Sequence, residues 1–375
     1  MKFLLIASYA DSLINFRGPL LDAMLAKGLT VHVAAPDLPL GTPTRMLLEQ
    51  KGVKVHEVPL RRVGMNPFAD LWCLAALCKL MLEVKPDSVL AYTAKPVIYG
   101  LLAAKIMRVK SRFALITGLG YAFQSAGTQA GSSRGMLKAL VQRLYALALS
   151  STTRVFFQNP DDEALFKQLK LISADTPSTV VNGSGVDVND FNVAPFPETV
   201  SFLLIARLLG DKGVREFVCA AREVRSEYSN VGFKIVGWID ENPNAIAPAE
   251  LEAWIADGTI EYLGRLKDVR PAIADSSVYV LPSYREGTPR TVLEAMAMGR
   301  AVITTDAPGC RETVIEGVNG FLIPVKDVNT LAAAMLKFVE SPELVALLGE
   351  KSRELAEIKY DVKKVNAAML EGMGI

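Results

Sequence analysis

Short apolar runs alternate with longer segments of helical periodicity along most of the chain. In the first half, the apolar runs predict strands at residues 2–7, 30–35, 53–58, 88–92, 113–117, 154–157 and 179–182. The segments between them predict helices at 18–27, 44–50, 67–83, 97–107, 135–149 and 160–170. Strands that alternate with helices in this way predict a parallel sheet with helices on both faces.

The same rhythm restarts after residues 191–198, a stretch with two prolines and no periodicity. The second series predicts strands at 201–206, 233–236, 259–262, 278–281, 301–304 and 320–324, followed by helices at 328–339, 342–354 and 362–373. A chain of 375 residues also suits two cores better than one. We therefore expect an α/β protein of two doubly wound, Rossmann-like domains at 1–190 and 200–358, joined by a linker at 191–199 and followed by a last segment at 359–375.

The stretch from 280 to 311 predicts a strand, a loop, a helix and a second strand. Thr288 is a favourable N-cap, Pro289 suits the first helical position and Gly299 suits the residue just past the helix end, which gives a helix at 289–298. The helix begins next to a glycine-containing loop, so its free N–H groups and partial positive charge can hold a phosphate. Between two doubly wound domains that face each other, such a site lies in the cleft, at the carboxyl ends of the strands.

Two glutamates flank this candidate phosphate site. Glu286 lies in the loop before the helix, and Glu294 lies in the helix, eight residues later. Carboxylates repel phosphate but accept hydrogen bonds from sugar hydroxyls. A phosphate cradle beside two carboxylates is therefore typical of a nucleotide-sugar site, although acidic residues near a helix start are also common where no ligand binds.

A basic motif, ARLLGDKG at 206–213, follows the first strand of the second domain and opens a helix. Arg207 and Lys212 can converge there on one pyrophosphate, the arginine through two parallel hydrogen bonds and the lysine as a point charge. The alternative is a solvated basic turn. Together with the helix start at Gly287 and Thr288, these cations can neutralise a diphosphate leaving group without Mg²⁺. We therefore expect no metal and no cofactor besides the nucleotide-sugar donor.

Missing motifs narrow the possible functions further. The chain contains no Asp-x-Asp motif and only two histidines, His32 and His56, both in predicted strands where a structural role is the more common one. The loop after the first strand lacks the GxGxxG fingerprint, which argues against an NAD enzyme.

The sequence EGTPRTVLEAMA at 286–297, together with the basic motif, resembles the retaining glycosyltransferases of family 4, which have the GT-B fold. The resemblance implies two Rossmann-like domains that face each other across a cleft, with the last helix crossing back onto the amino-terminal domain. It implies that Arg207 and Lys212 hold the diphosphate of the donor. It also implies that Glu286 holds hydroxyls of the donor sugar and Glu294 the ribose. Glu286, Arg207 and Lys212 are thus the expected catalytic residues.

The resemblance extends to further donor and acceptor positions. The additional donor contacts that it implies are Gly18, Arg265, Leu266, Gly287, Thr288, Arg290 and Thr291. The implied acceptor contacts lie in loops that could also be ordinary strand-to-helix turns, and they are Arg17, Lys95, Thr117, Gly118 and Tyr121. One departure is GTPR at 287–290, where many relatives carry phenylalanine and then glycine. Because Pro289 has no N–H, one phosphate donor is lost there, and Arg290 either compensates with its charge or meets the acceptor.

The segment GWIDENPNA at 237–245 resembles a subgroup that builds capsule, O-antigen and lipid-linked oligosaccharides and is similar to bacterial N-acetylgalactosaminyltransferases. This implies metal-independent, front-face transfer of an N-acetylhexosamine or hexose from a UDP-sugar to a lipid-diphosphate-linked glycan. The expected location is the cytoplasmic face of the inner membrane, with no nucleic acid as partner. The alternatives are an enzyme similar to UDP-N-acetylglucosamine 2-epimerase and a non-catalytic nucleotide-sugar-binding protein.

The amino-terminal half is basic, although the whole chain carries a net charge of only +1. Residues 1–195 contain 21 Lys and Arg against 14 Asp and Glu, which indicates a membrane surface or a phosphorylated acceptor as partner unless the excess is scattered. Four cysteines without a CxxC pair suit a reduced, cytoplasmic protein, and the longest apolar stretch is too short to cross a bilayer. Segments 67–83 and 135–149 fit peripheral membrane contact, and packing against the sheet is the alternative for both.

Overall fold

Two parallel sheets, each covered by helices, form the protein. The computed structural model describes residues 1–61, 64, 66–119, 133–240 and 242–375, with the exception of the side chains of 133 and 134. The chain divides into two units, which are Met1–Ser184 with Val365–Ile375, and Gly185–Lys364. Each unit holds one sheet, so the expected α/β class is confirmed.

The first unit alternates strands and helices along the chain. Its strands are β1 Lys2–Ile6, β2 Thr30–Ala35, β3 Lys54–Glu57, β4 Ser88–Tyr92, β5 Ser111–Ile116, β6 Arg154–Phe157 and β7 Ser178–Val180. Its helices are α1 Ser12–Asn15, α2 Gly18–Ala26, α3 Pro43–Gln50, α4 Pro67–Val84, α5 Leu101–Ile106 with a π turn at Pro96–Gly100 before it, α6 Ser133–Leu149 and α7 Pro160–Gln168. The strands pair in parallel in the order β3-β2-β1-β4-β5-β6-β7.

The second unit repeats this arrangement. Its strands are β8 Ser201–Ile205, β9 Gly232–Val236, β10 Glu261–Tyr262, β11 Val278–Leu281, β12 Ala301–Thr305 and β13 Gly320–Ile323. The helices are α8 Val214–Glu227, α9 Pro248–Ala256, α10 Arg270–Ala274, α11 Arg290–Ala297, α12 Val328–Glu340, α13 Glu343–Leu355 and α14 Val362–Gly372, which ends in the first unit. The strands pair in parallel in the order β10-β9-β8-β11-β12-β13.

Apolar side chains alternate between the two faces of each sheet. In β1, Leu4 and Ile6 pack into the core on one face and Phe3 and Leu5 into the core on the other, and all four are fully buried. Successive residues of β8 divide between two cores in the same way. Because helices cover both faces, the strands read as continuous apolar runs, which is why the sequence predicts them well.

The predicted strands are all present, and β2, β4, β6 and β11 have the predicted ends. Two local predictions are wrong. The helix that carries Glu294 has Pro289 as its N-cap rather than Thr288, because Pro289 has an extended ψ of 110°. The segment interpreted as a loop at 8–18 contains the one-turn helix α1, which is supported by a hydrogen bond from the Ser12 hydroxyl to the Tyr9 carbonyl at 2.5 Å.

The end of the chain and the predicted linker each belong to a defined core. Met369 and Leu370 of α14, and Met373 just after the helix, pack in the same cluster as Leu5, within the first unit. The units divide between Ser184 and Gly185, so residues 191–199 lie in the second unit. The buried Arg300 holds that segment by donating to two of its carbonyl oxygens, those of residues 194 and 195, at 2.8 and 2.9 Å.

The strand order reverses beside the first strand of each unit. In the second sheet, β8 lies between β9 and β11, so the connections on its two sides run in opposite directions. The loops that follow β8 and β11 therefore lie at a switch point of the strand order, at the carboxyl edge, where doubly wound proteins bind their ligands. The corresponding strands of the first sheet are β1 and β4. Among the described residues, no helix combines the length and the apolar character that a membrane crossing requires.

Candidate active site

The start of α11 is fastened to the carboxyl end of β8. Thr291, in the first turn of α11, donates a hydrogen bond to the carbonyl oxygen of Ile205, the last residue of β8, at 3.4 Å. The buried Tyr279 hydroxyl lies 2.6 Å from the Thr291 hydroxyl and 3.1 Å from the same carbonyl oxygen. Arg207 follows Ile205 by two residues, so this contact holds the helix start and the basic motif at one edge of the sheet.

Gly213 allows the basic motif to pack tightly against the loop after β11. It has a φ of 71°, and a Cβ atom there would lie 2.2 Å from the carbonyl oxygen of Pro282. Beside this contact, the backbone N–H of Tyr284 donates to the carbonyl oxygen of Asp211 at 2.9 Å. Position 213 therefore requires glycine, and the close approach brings Lys212 onto the loop that contains Glu286.

Lys212 and Glu286 form an ion pair across this contact. Their side chains are only 17% and 16% exposed, which makes a charge interaction stronger than it would be in water. On its other side, the Glu286 backbone N–H donates to the carbonyl oxygen of Pro308 at 2.9 Å. A Cβ atom at Gly309, whose φ is 82°, would lie 2.2 Å from the carbonyl oxygen of Glu286. Backbone contacts thus hold the loop on both sides, and the Glu286 carboxylate on this loop contacts the Lys212 cation.

Arg207 also has a carboxylate partner. Its Nη1 lies 2.9 Å from Oδ2 of Asp240, in the loop after β9, and both side chains are half-buried. The backbone N–H of Leu208 donates to the carbonyl oxygen of Trp238 at 2.9 Å, which holds the loops after β8 and β9 together. Each predicted diphosphate-binding cation is therefore positioned by an acidic side chain of the same unit.

Glu294 is buried in α11 and paired with Arg290. Its side chain is 9% exposed, and its Oε1 accepts a hydrogen bond from Nε of Arg290, one helical turn earlier, at 2.8 Å. Burial raises the pKa of Glu294 above its usual value, and the positive charge of Arg290 opposes that rise. Arg290 therefore stabilises the ionised form of a carboxylate that lies next to the helix start.

An aromatic side chain and a guanidinium group stack beside these ion pairs. The guanidinium carbon of Arg265 lies 4.6 Å from the ring centroid of Trp238, which is partly exposed. Gly237 directly precedes this tryptophan. Its N–H donates to the carbonyl oxygen of Gly264, in the loop after β10, at 2.9 Å, and this hydrogen bond holds the two loops together. Leu266 packs against the core close by. A flat, partly exposed cation–aromatic pair of this kind can receive a planar ring.

The predicted residues of the first unit lie at the carboxyl edge of its own sheet. Arg17 is buried, with its guanidinium carbon 5.3 Å from the ring centroid of Tyr92, and Gly18 begins α2. Lys95 donates to Oδ1 of Asp70, in the first turn of α4, at 2.6 Å. Thr117 and Gly118 directly follow β5. Tyr121 lies outside the described residues.

The second unit thus brings most of the predicted donor residues to one sheet edge, from Arg207 and Lys212 to Glu286 and the start of α11. Sequence reasoning missed three neighbours of these residues, namely Asp240, Trp238 and Tyr279. The first two lie in the segment 237–245, whose resemblance to a subgroup assigns no role to either side chain. Tyr279 lies inside an apolar strand, so nothing in the sequence distinguishes its hydroxyl from that of any core tyrosine.

The two histidines contact each other. Nδ1 of the buried His32 lies 2.9 Å from Nε2 of His56, and the two rings are stacked. Burial, and then the neighbouring His56, lowers the pKa of His32 to about 4. The pair is therefore neutral near pH 7 and packs as part of the edge of the first sheet, as the sequence analysis favours.

Family models match both units of the chain. A model described as "Glycosyl transferases group 1" matches residues 199–341, and a model described as "Glycosyl transferase 4-like" matches residues 4–159. The first match contains the whole stretch from Arg207 to Glu294, and the second begins inside β1 and contains β2 to β6 of the first sheet.

Curated relatives extend along most of the chain. The N,N'-diacetylbacillosaminyl-diphospho-undecaprenol alpha-1,3-N-acetylgalactosaminyltransferase of Campylobacter jejuni is 27% identical, and the match covers 96% of this chain and 95% of that protein. The UDP-Gal:alpha-D-GlcNAc-diphosphoundecaprenol alpha-1,3-galactosyltransferase of Escherichia coli is 26% identical, over 78% of this chain and 76% of that protein.

Solved structures share the fold at lower identity. The sucrose-phosphate synthase of Thermosynechococcus elongatus matches with a TM-score of 0.79 and 18% identity, over 99% of this chain and 98% of that chain. Anabaena Alr3699/HepE, solved in complex with UDP, matches with a TM-score of 0.79 and 19% identity over the full length of both chains. The chain therefore belongs to the glycosyltransferases of the GT-B fold, with a 4-like domain followed by a group 1 domain.

Proposed function

We propose that the protein transfers a hexose or N-acetylhexosamine from a UDP-sugar to a polyprenyl-diphosphate-linked saccharide, with retention of the anomeric configuration. The observation that carries the proposal is the meeting of Arg207, Lys212 and the start of α11 at the switch point of the second sheet, with carboxylates beside each cation. Cations at a helix start suit a diphosphate, and the carboxylates suit the hydroxyls of the attached sugars.

Arg207 and Lys212 would stabilise the departing UDP. The bond between the anomeric carbon and the β-phosphate oxygen breaks, and negative charge develops on that oxygen. The acceptor hydroxyl attacks the anomeric carbon from the same face and gives its proton to the departing phosphate. Positive charges fixed in advance at this point lower the energy of the transition state, which makes a divalent metal unnecessary for the leaving group.

The two glutamates would divide the hydroxyls of the donor between them. Glu286 lies in the loop before α11, beside Lys212, which suits the hydroxyls of the transferred sugar next to the diphosphate. Glu294 is buried one turn into α11, where Arg290 supports its charge, and this suits the ribose. The Trp238–Arg265 pair supplies a flat surface for the uracil ring.

The relatives support the acceptor class. The Campylobacter and Escherichia proteins are named for acceptors that carry a sugar on diphospho-undecaprenol, and the second is named for a UDP-galactose donor. We assign the same classes of donor and acceptor to this chain, in the assembly of a bacterial surface or glycoprotein glycan. An acceptor with a polyprenyl tail is held in a bilayer, so the enzyme would work as a peripheral protein on the cytoplasmic face of the inner membrane.

A UDP-release assay tests the proposal. The protein is incubated with a UDP-sugar and a diphospho-undecaprenol-linked acceptor, in EDTA and in Mg²⁺, and the product is analysed by NMR. We expect UDP release that needs both substrates, proceeds in EDTA, and yields an α-linked product from an α-linked donor. A β-linked product would refute retention, and loss of activity in EDTA that Mg²⁺ restores would refute metal independence. An epimerised sugar without glycosylated acceptor would refute the reaction itself.

A further inference from the structure

Two helices of the first unit leave large apolar side chains in solvent. On α4, Phe68, Leu71 and Trp72 are 85%, 64% and 68% exposed. On α6, Met136 and Leu140 are also exposed. Single exposed apolar residues are common on soluble proteins, but a tryptophan, a phenylalanine and three aliphatic residues on two helices of one unit indicate an interaction surface. These five residues are called the α4–α6 patch below.

The spacing of these residues places them on the outer side of each helix. Positions 68, 71 and 72 are three and four residues apart, as are 136 and 140, so each set shares one helix face. The opposite faces are buried in one common core, where Leu77 of α4 and Tyr145 of α6 both pack. Between the two helices lies α5 with its π turn, which contacts both of them. The two exposed faces therefore lie on the same side of the first sheet.

The patch also lies toward the carboxyl edge of that sheet. Asp70, in the first turn of α4, is bonded to Lys95, which follows the carboxyl end of β4. The helix α6 leads into β6, which runs parallel to β4 and β5, so its first turns lie toward the same edge. This edge carries the residues assigned to the acceptor, including Thr117.

Basic side chains share the exposed faces of the two helices. Lys79 comes seven residues after Trp72 and Arg143 comes seven residues after Met136, which is about two helical turns along the same face in each case. Lys79 on α4 and Arg143 on α6 are exposed on the same two helices. Exposed aromatic and aliphatic side chains combined with basic ones match the chemistry of an anionic lipid surface, in which the apolar groups enter the interface and the cations meet the headgroups.

We propose that the α4–α6 patch inserts into the surface of an anionic bilayer. The inference rests on the proposed function only for the purpose of membrane binding. That purpose is to bring a lipid-linked acceptor to the carboxyl edge of the first sheet. Binding to lipid itself requires neither substrate. The patch also explains why α4 is apolar along most of its length. One side of the helix packs on the core, and the other side contacts the membrane in the first turns.

Vesicle co-sedimentation without donor or acceptor tests the proposal. We expect the protein to bind vesicles of phosphatidylethanolamine and phosphatidylglycerol, to bind phosphatidylcholine vesicles much more weakly, and to be released from the anionic vesicles by salt. The double variant Phe68→Ser/Trp72→Ser should bind about tenfold more weakly or worse, because both side chains leave water on binding. The matched control is Ile358→Ser, which removes an exposed apolar side chain from the second unit and should bind as the wild type does.

Quenching by brominated lipids provides a second readout. Trp72 should be quenched in anionic vesicles, and Trp72→Phe should keep the binding and lose most of the quenching. The proposal would be overturned if the wild-type protein did not bind anionic vesicles, or if the double variant bound them as well as the wild type does. So would a wild-type dimer, seen by sedimentation velocity, that the double variant converts to monomer, because the patch would then be a contact between two copies.

Activity separates this inference from the proposed function. With a detergent-solubilised acceptor, the double variant should release UDP at the wild-type rate, whereas with acceptor in vesicles it should be slower. A double variant that is inactive in detergent as well, while its fold is intact, would overturn the assignment of these side chains to the membrane. Wild-type binding to vesicles without UDP release from any UDP-sugar would count against the proposed function and leave the patch in place.

Discussion

Replacement of Glu294 by glutamine separates donor binding from folding. The carboxylate is buried and accepts a hydrogen bond from Arg290 at 2.8 Å. Glutamine keeps the shape of the side chain and removes its charge. Because burial raises the pKa of Glu294, the charged form is destabilised in the folded protein. We therefore expect Glu294→Gln to unfold at the same temperature as the wild type or slightly above it.

The effect of Glu294→Gln on donor binding should be much larger than its effect on stability. A hydrogen bond from a ribose hydroxyl to an ionised carboxylate contributes about 1.5–3 kcal/mol. At about 1.4 kcal/mol for each factor of ten, the KM for the UDP-sugar should rise roughly 10- to 150-fold. The KM for the acceptor should change by less than about threefold, because Glu294 is assigned no contact with it.

The chain offers a matched control in the same unit. Arg353 and Glu357 form another Arg–Glu pair four residues apart, with Nε 2.6 Å from Oε1. Glu357→Gln should leave both KM values unchanged and lower the free energy of unfolding by less than about 1 kcal/mol. The measurements are initial rates of UDP release at varied donor and acceptor, and thermal unfolding with and without UDP. An unchanged donor KM in Glu294→Gln would refute the ribose assignment.

Two further predictions concern the stability of the fold, one in each unit. Gly213→Ala should lower the free energy of unfolding by more than about 2 kcal/mol, since its Cβ would lie 2.2 Å from a backbone oxygen at a φ of 71°. Gly258→Ala, at a φ of 70° with open space around it, should lose only about 1 kcal/mol in the same urea titration, and equal losses would contradict the packing argument. Because the pKa of His32 is lowered to about 4, its protonation destabilises the fold in acid, with no cost above pH 6.5 and a cost that grows to about 3 kcal/mol as the pH falls to 4. His32→Gln should flatten the dependence of unfolding free energy on pH in that window, and an unchanged slope would show that other groups cause it.

The sheets could be predicted from the sequence because local composition determines them. A strand such as β4, whose five residues are all buried, reads as an apolar run between turn residues and needs no knowledge of its neighbours. The start of α11 was predicted one residue early because Thr288 is a good cap by residue type, whereas the extended ψ of Pro289 is set by the surrounding loop.

The contacts within the site could not be predicted in this way. Lys212 and Glu286 are 74 residues apart and meet only because β8 and β11 are neighbours in the sheet. The pairing of Arg207 with Asp240 likewise depends on β9 lying beside β8. Resemblance to a family supplied the expected roles of these cations, whereas the carboxylates that pair with them follow from the strand order.

The two alternatives for α4 could not be separated by hydrophobicity either. Phe68 and Leu77 are equally apolar in the sequence, yet the first is exposed and the second is fully buried. A helix that is apolar on both sides gives no periodic signal, so only the position of the sheet and of α5 shows which side faces solvent.

Turnover by Lys212→Ala tests the central assignment most directly. If Lys212 stabilises the charge that develops on the departing diphosphate, UDP release at saturating donor and acceptor should fall about 100- to 1,000-fold, while thermal unfolding shows an intact fold. The control Lys351→Ala breaks another lysine–glutamate pair of the same unit, at 2.8 Å, and should keep the wild-type rate. A folded Lys212→Ala enzyme that releases UDP at close to the wild-type rate would contradict the account.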